Sequence, residues 1–179
     1  MSQIVVLVGS VRKDGNTQLL VNSFVNGAKQ KNDVEIISMA DYEVNPCIGC
    51  NACFKREDNT CFQNDDMQIV YKKLSKADII VVASPVYFYG VSAQLKAVID
   101  RLHSPIRNGF KVRKLGLLLV AGATIPSVFD AIKVQYQLVL DYFSFEDVGK
   151  VLVKGVKDVG DIKNHSELIE AYELGKQIK

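Results

Sequence analysis

Hydrophobic positions along this chain follow two patterns that take turns. Residues 4–8 (Ile-Val-Val-Leu-Val), 78–83, in which Asp78 leads into Ile79, Ile80, Val81 and Val82, and 115–121 carry short apolar runs. Such runs mark strands buried on both faces of a parallel sheet. Residues 34–38 and 148–154 are two further short runs of strand character. In the intervening segments the apolar positions recur three and four apart. The first set is Leu20, Phe24 and Ala28, and the second Met67, Val70, Leu74 and Ala77. The third, in a helix starting near Ser92, is Leu95, Val98, Ile99 and Leu102; the fourth is Phe129, Ile132, Tyr136, Val139 and Phe143; the last is Leu168, Ala171, Tyr172 and Gly175. This spacing predicts amphipathic helices, the third carrying Lys96 and Asp100 at i,i+4 for an ion pair. Five strands alternating with five helices predict a single domain over residues 1–179 of the doubly wound α/β class. Its five-stranded parallel sheet is covered on both faces, because right-handed crossovers place helices above and below it. Ligands of such sheets bind beyond the carboxyl ends of the strands, near the switch point. The loops after the first, third and fourth strands are therefore expected to converge, with the loop after the second at the same end.

Composition narrows the function without naming it. Apolar residues make up 48% of the 179 positions and charged residues 23%, and the net charge is only +2 with lysines scattered among acids. Nucleic-acid binding has little electrostatic support, so a small-molecule or redox partner is expected. No apolar run approaches the roughly 20 residues that cross a bilayer, and the N-terminal residues do not read as a signal peptide, so no membrane role and a cytoplasmic location are expected. All four cysteines fall between positions 47 and 61, which in a reducing compartment points to metal or redox chemistry more than to disulfides.

Residues 9–17 (Gly-Ser-Val-Arg-Lys-Asp-Gly-Asn-Thr) join the first strand to the first helix. The unpaired N–H groups and positive dipole end of a helix N-terminus attract an anion. Ser10, Asn16 and Thr17 add neutral donors, Arg12 adds charge, and Gly15 lets the backbone turn close to a ligand. The loop lacks the Gly-Lys-Ser/Thr ending of a triphosphate loop and the spaced glycines of a dinucleotide fingerprint, so a monophosphate fits better than a pyrophosphate. The same Ser, Asn and Thr also serve as ordinary helix caps in many strand-to-helix turns.

Three stretches together carry a family resemblance: residues 9–17, residues 46–53 (Pro-Cys-Ile-Gly-Cys-Asn-Ala-Cys) and residues 84–90 (Ser-Pro-Val-Tyr-Phe-Tyr-Gly), followed by the helix at 92–101. They resemble the flavodoxin-like NAD(P)H-dependent FMN reductases, including their iron-sulfur flavoprotein branch. The resemblance implies an oxidoreductase in which NAD(P)H reduces FMN and the flavin passes electrons to a quinone, a free flavin or a similar acceptor. It places the FMN phosphate on the first loop and the isoalloxazine ring on Pro85, Val86, Tyr87 and Phe88, with backbone N–H groups in the 85–88 stretch expected to tune the ring. Gly122 lies where the third flavin loop of the family falls. Tyr87 and Phe88 also read as ordinary packing beside a proline turn. Relatives of this kind form dimers or tetramers, so a homodimer or homotetramer is expected, with residues 86–89 and 136–145 as contributors.

Cys47, Cys50, Cys53 and Cys61 have the spacing C-x2-C-x2-C-x7-C, within a loop running from about position 40 to Asn64. Connections of that length in compact domains tend to be functional. The pattern resembles the compact motif of the iron-sulfur flavoproteins, which implies the four thiolates as [4Fe-4S] ligands. It suits zinc less well, and reduced thiols that shape the loop or form a reversible disulfide are a further reading. No catalytic side chain is identifiable: neither His103 nor His165 stands near a nucleophile in sequence, and Asp65 and Asp66 read as helix capping. Two other functions stay open: an electron carrier holding FMN and a [4Fe-4S] cluster, and a flavodoxin-fold regulatory protein without catalysis.

Overall fold

A computed structural model describes residues 1–179. Ten principal elements follow one another: β1 (Gln3–Val8), α1 (Asn16–Ala28), β2 (Asp33–Ser38), α2 (Met67–Leu74), β3 (Ile79–Pro85), α3 (Ala93–Arg101), β4 (Lys114–Val120), α4 (Asp130–Phe143), β5 (Glu146–Val153) and α5 (Glu167–Gln177). The strands form one sheet in the order β2-β1-β3-β4-β5, and every pairing is parallel. The doubly wound α/β architecture expected from the sequence is present.

Element ends shift for local reasons. β3 runs on through Ser84 and Pro85 because the Val86 N–H still donates to the Val120 carbonyl at 2.8 Å. α2 stops at Leu74, short of Ala77, where the Lys76 and Ala77 N–H groups turn back onto the Lys73 and Leu74 carbonyls.

Each strand divides its side chains between two cores, as the period of two requires. Ile4, Val6 and Val8 of β1 pack with Leu20, Phe24 and Ala28 of α1 and Ala171 of α5. Val5 and Leu7 face the other way, with Met67, Val70 and Leu74 of α2, Leu95 and Val98 of α3, and Ile132 and Leu140 of α4. On the first face α1 and α5 meet at two glycines. A Cβ on Gly27 would stand 2.0 Å from the Tyr172 carbonyl oxygen, and one on Gly175 would stand 2.2 Å from that of Phe24.

The chain leaves β1 for β2 on one side and returns to β3 on the other, so the switch point lies between β1 and β3. The loops that follow these two strands frame the crevice where ligands of this fold class bind.

Candidate functional site

The crevice is built from the ends of two strands and the helices that follow them. After β1, Gly9 passes beneath α3, where a Cβ would meet the Ser92 hydroxyl oxygen at 2.6 Å and Leu95 at 2.9 Å. The Ser10 hydroxyl is buried and accepts from the Arg12 N–H at 3.3 Å, which leaves its own hydrogen to donate. α1 then begins at an N-cap glycine, Gly15, which offers no side-chain cap. The first backbone bond of the helix is Leu19 N–H to the Gly15 carbonyl at 3.1 Å. The N–H groups of Val11 and of residues 13–18 donate to no backbone carbonyl. A cluster of free donors at a helix N-terminus is an anion site in both geometry and dipole, and these groups fit the phosphate of FMN.

The predicted side chains divide into two sets. Thr17 is buried at the loop, and Arg12 is exposed beside it with Nη1 on the Lys157 carbonyl at 3.4 Å. Asn16 differs from the expectation, because its side chain is turned away from the crevice. Its amide nitrogen donates to the Asp158 carbonyl at 2.9 Å, and its oxygen accepts from the Gly160 and Ile162 N–H groups at 3.2 and 3.3 Å. Asn16 therefore offers the crevice its backbone N–H, while its side chain pins residues 158–162 against α1. Sequence reasoning missed this tie, which nothing local in the sequence announces. Gly122 lies beside the same segment, 3.5 Å from the Lys157 Cβ at the position of its absent side chain.

The loop after β3 also differs from expectation. Pro85 has no N–H, that of Val86 is held by the Val120 carbonyl, and that of Tyr87 donates to the Gly90 carbonyl at 2.9 Å. Gly90 donates back to the Tyr87 carbonyl at 3.0 Å, closing a two-residue turn over Phe88 and Tyr89. Only the Phe88 and Tyr89 N–H groups in this stretch remain without a backbone acceptor, so the free donors sit later in the turn than the sequence suggests. Both residues are left-handed, with φ of 50° and 66°, a conformation that bulky residues seldom adopt. Phe88 is 99% exposed, and Tyr87 and Tyr89 are about half exposed. Behind the turn, the Ser84 hydroxyl donates to the Pro85 carbonyl at 2.8 Å and accepts from the Ser92 N–H at 3.0 Å, and Ser92 caps α3.

The cysteine loop does not stay at this end. α3 runs antiparallel to the strands, and its nine residues carry the chain about 13 Å toward the opposite side of the sheet. The loop is fastened to the far end of that helix: Asp65 pairs with Arg101, the Ser104 hydroxyl donates to the Asn59 carbonyl, and the Phe54 ring meets that of His103 at a tilt, 5.2 Å between centroids. The expectation that the loop lies at the same end as the crevice holds for residues 39–45, which gather beside Gln94 at the start of α3, and is corrected for residues 54–65; a loop this long is placed by its anchors, not by the strand it follows. Cys47 and Cys50 are exposed, Cys53 and Cys61 half-buried, and all four are free thiols. No three sulfur, imidazole or carboxylate groups stand close enough to ligate one metal ion. The donor set nevertheless suits an iron-sulfur centre, with four thiols within fifteen residues.

Asp65 does more than cap α2. Its carboxylate accepts from the Met67 N–H at 3.1 Å, from the Asn45 N–H at 2.9 Å and from Arg101 Nη1, so one buried group ties both ends of the cysteine loop to α3. Burial raises the Asp65 pKa, but the hydrogen bonds from Arg101, Asn45 and Met67 outweigh it and hold the carboxyl below its ordinary range. The Lys96 and Asp100 pair forms as expected, at 2.6 Å.

Residues 2–152 match the family of NADPH-dependent FMN reductases. This chain belongs to that family. Among relatives of the FMN reductase family, an iron-sulfur flavoprotein of Methanocaldococcus jannaschii is 46% identical over 68% of this chain and 63% of its own length. An iron-sulfur flavoprotein of Methanosarcina thermophila is 32% identical over 77% of this chain and 76% of its own. The chain thus spans less than two thirds of the first of these relatives. Among solved structures, the NAD(P)H:quinone oxidoreductase from Methanothermobacter marburgensis superposes with a TM-score of 0.81 over 99% of both chains at 14% identity, a likeness of fold. No helix is long and apolar enough to cross a membrane.

Proposed function

We propose that this FMN reductase homologue is an oxidoreductase that holds FMN at the β1/β3 crevice, takes reducing equivalents from NAD(P)H and delivers them to a small-molecule acceptor such as a quinone or a free flavin. The observation that carries the reading is the run of N–H groups at residues 11 and 13–18 that donate to no backbone carbonyl. It lies at the switch point of a chain whose family is described by FMN. Bound FMN supplies a hydride acceptor that no side chain here can replace. The chain's own residues bind and orient. Backbone donors, Ser10 and Thr17 hold the phosphate and Arg12 adds charge at its edge. Phe88 and Tyr89 offer N–H groups to the polar edge of the ring, and the exposed aromatic rings cover part of it. No side chain need act as acid or base.

The test compares FMN with riboflavin. The phosphate site predicts that riboflavin binds at least ~100-fold more weakly, the worth of about two charge-assisted hydrogen bonds, and that anaerobic NADPH bleaches the bound flavin. Equal affinities, or a flavin that NADPH leaves oxidised, sink the proposal.

A second reading, that the four cysteines carry an iron-sulfur centre and the chain trades electrons with a redox protein, is favoured by the unpaired thiols and by the names of the relatives. Assembly into homodimers or homotetramers is proposed from Val134, Leu138 and Tyr142. These form an exposed apolar stripe at i, i+4 and i+8 along α4, a pattern that suits a helix-to-helix interface.

A further inference from the structure

The sheet face covered by α3 and α4 is not filled. Val82 stands in the middle of β3, the central strand, yet it is only half-buried, as are Ile99 and Leu102 at the end of α3 and Val139 of α4. These four line a cavity of about 280 Å³ enclosed by the sheet, α3, α4 and the segment that leads from α3 to β4. Native interiors leave few gaps larger than a water molecule, and a void lowers stability as its volume grows. A cavity of ~150 Å³ is enough for benzene, so this one has room for a body about twice that size.

The walls are almost wholly apolar, and the charged residues among them are Arg107 and Arg113. Arg113 and Phe145, another lining residue, directly precede β4 and β5, so this charged end lies at the amino ends of the strands, opposite the β1/β3 crevice. Each arginine gives one nitrogen to the backbone. Arg107 Nη1 donates to the Leu102 and Ser104 carbonyls at 3.2 Å and to that of His103, and Arg113 Nη1 donates to the Val112 carbonyl at 2.7 Å. Neither pairs with a carboxylate, and the Arg107 Nε is buried without an acceptor. Residues 102–114 contain no acidic side chain, and of their lysines and arginines only Lys114 has a carboxylate partner, Glu146. The Arg107 guanidinium lies 5.6 Å from the centre of the Phe143 ring, which stacks on Phe145 at 5.1 Å. An apolar chamber behind flat rings and unpaired guanidinium groups has the chemistry of a site for a planar organic anion.

We propose that this cavity is a second ligand site, which takes an aromatic carboxylate of about two fused rings, its rings against Val82, Ile99 and Val139 and its carboxylate on Arg107 and Arg113. The carboxylate supplies the acceptor that the buried Nε lacks, and a guanidinium fork matches it in shape. The site is separate from the β1/β3 crevice and stands whatever that crevice holds. The α4 stripe of Val134, Leu138 and Tyr142 lies on another face of the helix from Val139 and the other lining residues, so assembly through it leaves the cavity to its ligand.

The probe is 2-naphthoate, titrated by calorimetry into the full chain in the presence of saturating FMN, with 2-naphthylmethanol as its uncharged counterpart. Excess flavin keeps the probe out of the crevice. The expected result is one naphthoate per chain, bound about tenfold more tightly than the alcohol, the worth of one charge-assisted hydrogen bond. Val139→Trp fills the chamber and is expected to abolish binding of both compounds. Arg107→Gln with Arg113→Gln is expected to bring naphthoate down to the affinity of the alcohol and to leave the alcohol unchanged, a split that a merely structural role of the arginines would not produce. Circular dichroism and the melting temperature report the fold of each variant. No saturable binding at millimolar naphthoate overturns the proposal, also where light scattering shows a dimer whose second copy covers the charged end. Equal affinities for acid and alcohol overturn it too, as does binding that Val139→Trp leaves intact. Should Val139→Trp fail to fold, Val139→Phe decides by the same comparison. Should the arginine pair fail to fold, Arg113→Gln alone decides, because that residue is exposed: a weaker hold on naphthoate alone supports the proposal, and an unchanged one overturns it.

Discussion

A single residue shows where this fold yields stability to its site. Phe88 sits with φ of 50° at the tip of a two-residue turn, followed by Tyr89 at 66°. Turns closed by two such residues ordinarily hold Asn-Gly, because φ above zero strains a bulky side chain by about 1 kcal/mol or more. Phe88 is almost fully exposed, so its ring recovers nothing from the core. Replacing it with glycine relieves the strain and removes no buried contact. Phe88→Gly is expected to raise the melting temperature by about 2–4 °C, the shift that ~1 kcal/mol brings in a chain of this size. On the function proposed above, the same variant is expected to bind FMN more weakly, since it loses a ring proposed to cover the flavin and frees the turn that aims the Phe88 and Tyr89 N–H groups. Thermal unfolding without flavin and a flavin titration measure the two effects separately. A melting temperature that falls would mean the turn is not strained.

Among the elements, α1 and α5 depend on each other more closely than their apolar faces suggest. Gly175 reads from the sequence as one more member of a helix face, and its real task is to let the backbone of α5 touch that of α1. A Cβ there would stand 2.2 Å from the Phe24 carbonyl oxygen and 2.8 Å from the Ala28 nitrogen, both rigid backbone atoms. Gly175→Ala must push the helices apart, and a loss of about 3 kcal/mol is expected, the upper range for overpacking. The displacement reaches the crevice, because α1 begins at the loop proposed to hold the phosphate and Asn16 ties that start to residues 158–162. FMN affinity should therefore fall along with stability. Gly109→Ala, where a Cβ would meet nothing within 4 Å, should change urea unfolding by no more than ~0.5 kcal/mol. Equal stability of the two variants would remove the argument. Strands and helices were legible in the chain because their signals repeat every two or every three to four residues. The glycine contact was not, because it joins residues far apart in sequence.

Over the whole molecule the same division holds. The order of elements was enough to locate the crevice at the switch point, since topology follows from alternation and handedness. It misplaced residues 54–65 of the cysteine loop, whose course depends on Asp65 meeting Arg101, two residues 36 apart in the chain. Asp65 belongs to a set of carboxylates held ionised by hydrogen bonds, Asp65 and Asp147 with partners on separate segments and Asp161 with partners in its own loop. Asp147 is raised by burial but held low by Lys150, Tyr136 and the Gly149 N–H, and Asp161 is held low by the Asp158 and Lys157 N–H groups. All three have folded pKa values below their unfolded ones, near 3.9. Each binds a proton more readily when the chain is unfolded. The stability each adds is complete above about pH 4 to 5 and disappears as pH falls through the folded value. The molecule should hold a steady urea midpoint from pH 8 to about 5 and lose it steeply below 4. Asp65→Asn isolates one share of that loss, because asparagine resembles the protonated acid in shape and charge. At pH 7 the variant should unfold at lower urea than wild type. As pH falls below 4 the wild-type carboxyl takes up its proton, and the gap between the two midpoints should shrink toward zero. A gap of constant width down to pH 3 would show that Asp65 supports the loop through shape and not through its charge on Arg101.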